Sequence, residues 1–541
     1  MNGFIKRIAA FLAVVCCFTC FAACKNNPQD STSGSSSDSG SGGITQDDWV
    51  DALIATGLDY GQNLQGGTAS TEDQLVVDLH THMPTVDGTV SATKSIAQGF
   101  YERTGVKVKF VTDKDLKGEA AETSEWLIKK VQNEKMPAIS FSWSEFTDRN
   151  YYMYLDEVMK LPNPFVTEGN GSVQWKDMFY DYLWTQKEQV NANGNIIAVP
   201  ITLNPGSATC WFYNKSIYNK FGMSVPKNFD EFLKNSKKAT GTITDSDGKT
   251  SDVYAIAPYG NQLSVNANNW INKFSIGPSF AAYLMKNTDI DLDNDGTIST
   301  YEQLRGVVKG YFDPTDGGAY KEVARDYYKV SKDYYANYLA NGWMNTDWQT
   351  KWNQGTVASI NNGVWQFRNE FNAEAVHENW EFGMFPAPLA DSKTSPYALD
   401  FETSHGPSKS TASLYVNVMK DGIKGNKTIL KNTILFLQYL TTVDCIDYMI
   451  QENGAELGAV KGTTPDEMLQ SYWLDQEFPV VPDCYWPDAY TTQQNNYLNS
   501  NFSKWVGGTI SDAEFYAAVK QYQLQGAKDY MDNLGIDYSK F

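Results

Sequence analysis

Two clusters in this chain combine residue types and spacings that support chemistry. The first runs Asp291-Leu292-Asp293-Asn294-Asp295-Gly296-Thr297-Ile298-Ser299-Thr300-Tyr301-Glu302. Carboxylates at positions one, three and five, a glycine at six for the sharp turn, the Thr297 carbonyl and a glutamate at twelve make an oxygen cage suited to Ca2+. A helical pattern, Gln303 to Lys309, follows directly, as such a loop requires. The second cluster is Asp78-Leu79-His80-Thr81-His82, at the end of an expected strand. Imidazoles two apart on a strand face the same side and can share a cation. His377 and His405 are the other two histidines that could complete a site. No nucleophile elbow, phosphate-cradling loop or dinucleotide fingerprint stands out. Paired carboxylates for glycoside hydrolysis are abundant, as in any acidic chain.

The first cluster matches every signature position of the EF-hand calcium loop. With no second EF-hand to pair with, the expected role is a structural ion and not a sensor. Asp-x-His-x-His resembles the metal motif of amidohydrolases and of phosphoesterases with a polymerase-and-histidinol-phosphatase domain. That gives a metal-dependent hydrolase as one alternative and a secreted glycosidase as another. Against the first, the histidines could simply line a cleft or the surface, and the catalytic Lys and Asp lack a recognisable context.

The elements that must position these residues follow from periodicity. Leu75 to Leu79 is expected as a buried strand, Gly88 to Glu102 as an amphipathic helix, and Val106 to Phe110 as a half-buried strand. A helical stretch, Glu119 to Asn133, leads to a strand at Pro137 to Phe141. This alternation predicts α/β layers around a mainly parallel sheet. The grammar repeats with strand Ile196 to Pro200, an extended run Thr209 to Tyr213 and helix Phe229 to Ala239. Asn228 is its expected N-cap, with Glu231 three residues on. Long helical patterns close the chain at Lys427 to Leu440 and Asp512 to Leu534. The 541 residues suffice for two to four domains.

Composition narrows the function classes. A formal net charge of −20 argues against nucleic acid as a partner. Aromatic residues make up 14% of the chain, and flat apolar faces with polar edges suit sugar rings, although large cores use aromatics too. Lys6 and Arg7 precede an apolar run, Ile8 to Phe21, and Ala22-Ala23-Cys24 follows. A basic start, a short apolar stretch and small residues mark a secretory signal. With the cysteine directly after two alanines, it resembles a bacterial lipoprotein signal, apart from Phe21, where an aliphatic residue is usual. The resemblance implies a signal peptide at 1–23 and a diacylglycerol on Cys24, whose two chains suffice for stable anchoring. Residues 24–70 begin as a Ser/Gly-rich flexible tether. Cys210, Cys445 and Cys484 form no disulfide framework. If two of them pair, the sequence favours Cys445 with Cys484; buried free thiols are the alternative.

From Ile196 onward a broader likeness builds up. Ile197-Ala198-Val199-Pro200, Trp211-Phe212-Tyr213-Asn214-Lys215, Phe221-Gly222 and Pro226-Lys227-Asn228-Phe229-Asp230-Glu231-Phe232 occur in order. Gly355, Ala358, Gly363 and Trp365, then Phe382 to Pro388, then Ile429 to Leu440 leading to Asp444, continue the series. Together they resemble the sugar-binding (maltose-binding-like) solute-binding proteins of ABC importers, from about Leu75 to Pro465. Two departures are Ala138, where an Asp is usual, and a longer stretch between Pro200 and Tyr213. The resemblance implies a two-lobed periplasmic-binding-protein-like α/β fold with hinge crossovers and a ligand cleft between the lobes. It implies lobe 1 at 71–206 plus 386–440, and lobe 2 at 207–385 plus 441–541. It also implies a monomer that captures a carbohydrate without chemistry and delivers it to ABC permease subunits at the outer face of the membrane. The extra length, mostly after Gly206, points to a cleft for more than one sugar unit. Residues carried over to the cleft are Trp143, Glu145, Asn204, Trp270 and Trp365.

Overall fold

The computed structural model describes residues 75–78, 87–111, 137–141 and, apart from short breaks, 152–541. The breaks fall at 167–172, 187–188, 192, 206–208, 245–248, 258–269, 339–347, 369, 371–379, 406–411, 424–425 and 483. Strands in chain order are β1 (Leu75–Asp78), β2 (Val108–Val111), β3 (Ile139–Phe141), β4 (Val199–Leu203), β5 (Thr209–Asn214), β6 (Thr242–Thr244) and β7 (Thr250–Asp252). They continue as β8 (Tyr254–Ala257), β9 (Val357–Gly363), β10 (Phe382–Pro386), β11 (Thr403–His405), β12 (Ala412–Val418), β13 (Leu457–Gly458) and β14 (Glu477–Pro479).

Two sheets organise two lobes. The first has the order β13-β4-β12-β3-β1-β2 and the second β10-β5-β9-β8. The expectation of mainly parallel sheets needs correction. β1 is parallel to both β2 and β3, and β8 to β9, but β12 and β13 pair antiparallel in the first sheet, as do β10 and β5 in the second. β5 and β12 each join their sheet after the chain has come from the other lobe, and each runs opposite to the neighbours it pairs with. Pro200 is tolerated inside β4 because β13 covers only Thr202 and Leu203, and the ladder to β12 is irregular near Pro200's partner Tyr415.

The sheet pairing also moves the lobe boundaries. Residues 387–405 stay with the second lobe: Ala390 N donates to Ser275 O at 2.7 Å and Leu399 N to Ser279 O at 3.3 Å. The chain is next found in the first sheet at β12, which begins at Ala412. Helix Val443–Asn453 and β13 return to the first lobe, and Ala459 N donates to Ile201 O at 3.1 Å. The last crossing follows Thr464, whose N–H reaches Asp447 at 2.7 Å, and not residue 440.

Local signals explain the helices. Asn228 caps Phe229–Lys238 by accepting from Glu231 N at 2.9 Å, while the Glu231 carboxylate accepts from Lys227 N at 3.0 Å. Asn426 caps Lys427–Leu440, and Ser511 with Glu514 forms a full capping box on Asp512–Leu534. β5 is buried on both faces, with Trp211 in one core and Cys210 and Phe212 in the other, the period-two alternation of a strand. Much of the aromatic excess is core: Trp486 stacks on Tyr327 at 4.2 Å and Trp505 on Phe515 at 4.1 Å. Cys445 and Cys484 are both buried and free, one in a helix of the first lobe and the other in the second lobe's core, so they do not pair. Among the described residues no helix is long and apolar enough to cross a membrane.

Candidate functional site

The chain passes from β4 of the first sheet to β5 of the second. β5 begins at Thr209, which pairs with Gly363, the last residue of β9. Asn204 lies on the first crossing, half-buried, directly after β4. Its neighbour Pro205 offers a carbonyl to the buried Trp473 Nε1 at 2.5 Å. β11 pairs with β14, which ties the segment before the second crossing to the one after the third. A ligand held beside these segments touches the parts of the chain that must bend when the lobes move.

Trp365 sits at this end, on the short turn Val364–Gln366 directly after β9. Its indole lies flat against the backbone of Gly363: a Cβ added there would meet Cε2, Cζ2 and Cδ2 at 2.3, 2.4 and 2.5 Å. Trp270 meets Trp365 edge to face, with centroids 5.3 Å apart and planes at 85°. The structure therefore brings together two of the five residues expected in the cleft. Trp143 and Glu145 lie outside the described residues. Both tryptophans are half-buried, an exposure that leaves aromatic surface for a ligand.

Sequence reasoning missed two further rings. Phe274 lies edge-on to Trp270 at 6.4 Å, and Tyr485 lies edge-on to Phe274 at 6.0 Å. Spacing held a signal for Phe274, four residues after Trp270 in a helical segment. Nothing local pointed to Tyr485, which sits between the buried Cys484 and Trp486.

The acidic loop lies elsewhere in the second lobe. Asp291, Asp293 and Glu302 each bring a carboxylate oxygen within 4.8 Å of the others. Gly296 takes φ +81° and Asn294 φ +58°, the left-handed conformations that close the turn. Ile298 is buried in the core, as expected for position eight. Asp295 turns away, its Oδ1 accepting from Thr297 N at 2.8 Å and Thr297 Oγ1 at 2.7 Å. Glu302 is buried and caps helix Thr300–Val308 through Ser299 N at 2.9 Å, while its other oxygen accepts from Leu292 N at 2.5 Å. Just before the loop, Tyr311, Lys309 and Arg305 all hydrogen-bond Asp289 and hold its carboxyl far below the usual range.

Of the histidine cluster, His80, His82 and His377 lie outside the described residues. His405 is on β11, largely exposed, with Nε2 3.8 Å from Glu477 Oε1.

No protein-family model matches the sequence, and no curated protein matches it. Solved structures do match. The bacterial solute receptor AcbH, described by its exclusive preference for β-D-galactopyranose, aligns with a TM-score of 0.50 at 14% identity over 84% of this chain and 99% of that one. RafE from Streptococcus pneumoniae, in its apo form, gives 0.52 at 14% over 86% and 100%. The binding protein MsmE of Bacillus subtilis, in an open conformation, gives 0.50 at 11% over 86% and 100%. With its two sheets, this chain has the two-lobed α/β fold of these solved structures.

Proposed function

We propose that this protein binds a carbohydrate, an oligosaccharide in particular, without altering it, and delivers it to the permease of an ABC importer. The observation that carries this reading is the half-buried Trp270–Trp365 corner at the crossing end of the second sheet, within a receptor fold. Tryptophan faces complement the C–H faces of pyranoses, and the surrounding polar backbone can take the hydroxyls. AcbH is described as a receptor for a sugar, which supports the same ligand class here. Binding shifts an open–closed equilibrium by the ligand's greater affinity for the closed state, and closure is the signal a permease can read. The protein acts as a monomer on the outer face of the membrane, held by lipid on Cys24. Calorimetry against a glycan panel, with product analysis of each mixture, tests the reading. Saturable binding with unchanged glycans is expected. Turnover of a glycan, or of a phosphoester with added Zn2+ or Mn2+, overturns it. Cys24→Ser is expected to move the protein from the membrane fraction to the medium or periplasm.

A second reading concerns the acidic loop. The convergence of Asp291, Asp293 and Glu302 supports a structural Ca2+ there, with Asp295 joining after turning from Thr297 and Thr297 contributing its carbonyl. The ion neutralises carboxylates that face one another and leaves the ligand site untouched.

A further inference from the structure

We propose that Phe274 and Tyr485 continue the Trp270–Trp365 corner into an aromatic track, and that they form an additional sugar-binding position which selects ligands of more than one unit. The proposal rests on the carbohydrate reading above. Along the track, centroids step by 5.3, 6.4 and 6.0 Å, and successive planes are turned by 85°, 81° and 82°. Each step is comparable to the length of one pyranose unit, and each turn presents a new edge or face.

The backbone that carries these rings is built to expose them. Asn272 to Ile276 forms one wide π-helical turn, with Gly277 N donating to Asn272 O. Such turns are rare and frequent at functional sites, since one extra residue re-aims the side chains. From Ile271 to Ala282, Lys273 and Phe274 are the two residues left partly exposed among buried neighbours. Gly277 is needed here: an added Cβ would lie 2.6 Å from Asn272 O and 3.2 Å from the Trp486 Cβ. The close approach brings residues 484–486 against the turn and sets Tyr485 beside Phe274.

Tyr485 is held by its backbone and its neighbours, not by burial of its own ring. Its carbonyl accepts from Gln303 Nε2 at 2.8 Å, Cys484 Sγ reaches Pro278 O at 3.5 Å, and Trp486 is locked in the aromatic core. Lys273 Nζ lies 5.2 Å from the Phe274 centroid and 5.1 Å from that of Tyr485. The ammonium joins the two rings as one unit and offers donors to the hydroxyls of a sugar seated there.

The test uses gluco-, galacto- and manno-oligosaccharides of one to six units, titrated calorimetrically into the full mature chain. Wild-type affinity should rise with length. Tyr485→Ala and Phe274→Ala should each weaken the longer binders about tenfold, while the shortest binder changes less than about twofold, because each removes one stacking surface. Phe274→Leu, which keeps the apolar volume, separates ring loss from any loss of fold and should act as Phe274→Ala does. Trp365→Ala should weaken all lengths together. Equal weakening at every length by Tyr485→Ala and Phe274→Ala, no weakening at all, or an affinity that does not grow beyond one unit overturns the track. Failure of the wild type to bind any glycan defeats the carbohydrate reading itself, and with it the track.

Discussion

Gly363→Ala isolates the link between backbone and stacking surface. The glycine backbone is at φ −87° and ψ 150°, an ordinary extended conformation that alanine adopts without strain. The obstacle is the indole of Trp365, three of whose atoms would lie 2.3 to 2.5 Å from the new methyl. Non-bonded carbons settle at about 3.5–4.0 Å, so the ring must withdraw by more than an ångström. Withdrawal breaks the edge-to-face contact with Trp270 and removes the flat surface from the ligand. Aromatic contacts of this kind contribute roughly 0.5–1.5 kcal/mol each beyond burial, so losing the face that meets the ligand predicts a roughly 2- to 12-fold rise in Kd. Because Trp365 is half-buried, the ring can swing toward solvent and the melting temperature should move by little. Titration of the best-binding glycan into Gly363→Ala, Trp365→Ala and the double variant forms a closed cycle. The double variant should be no weaker than Trp365→Ala alone, since both changes remove the same contact. Wild-type affinity in Gly363→Ala alongside a weakened Trp365→Ala, or additive losses in the double variant, would refute the reasoning.

The remaining expectations concern charge. If the acidic loop holds Ca2+, the melting temperature rises with calcium and falls with EGTA, by about 2.7 kcal/mol of stabilisation at a hundredfold excess over Kd. Glu302→Gln keeps one acceptor for Ser299 but sets an amide NH2 against Leu292 N, so it should lower the melting temperature of the calcium-free protein and also abolish the calcium shift; an unchanged calcium response removes the site. Glu456 is buried between Ser413, which donates to it, and Asn453 Nδ2 at 3.1 Å, and burial raises its carboxyl above the ordinary value. A carboxyl raised on folding favours the protonated native state, so its contribution is present below the unfolded pKa and lost as pH climbs through the folded one. Glu456→Gln should therefore melt higher than wild type at pH 7, with the gap closing as pH falls into the ordinary glutamate range; a gap independent of pH contradicts the assignment.

Those parts of the fold that local chemistry dictates were legible in the sequence. Asn228 marked a helix start because a side-chain acceptor must meet the free N–H groups of the first turn, and Asn426 and Ser511 do the same in the structure. The ends of β4 were not legible. Ile196 to Leu203 is apolar or buried throughout, with no alternation to set a phase, and the strand begins at Val199 and not Ile196. Long-range partners decide it: Ile196 N is taken by Asp156 at 3.3 Å and Ile197 N by Gln189 O at 2.8 Å, which draws that stretch off the sheet. The crossing points were misplaced for the same reason. A crossing is defined by which sheet a strand joins, and β13 is two residues long, too short to carry any pattern of its own.

The candidate site divides along the same line. Trp365 and Trp270 were reachable because a motif and its order located them, and Gly363 carried a second signal whose meaning is steric: only hydrogen leaves room for the indole. Phe274 and Tyr485 depend on a π-helical turn and on a distant segment that Gly277 lets approach, and neither leaves a periodic trace. A half-exposed aromatic ring whose own backbone is fixed by buried neighbours is the structural form of a preorganised contact, because the ligand then bears little of the cost of ordering it. Tyr485 meets that description through Gln303, Cys484 and Trp486, although its sequence context looks like core on both sides. Affinity for longer ligands is thus expected to depend on residues more than 200 positions apart in the chain, joined by packing that no local pattern announces.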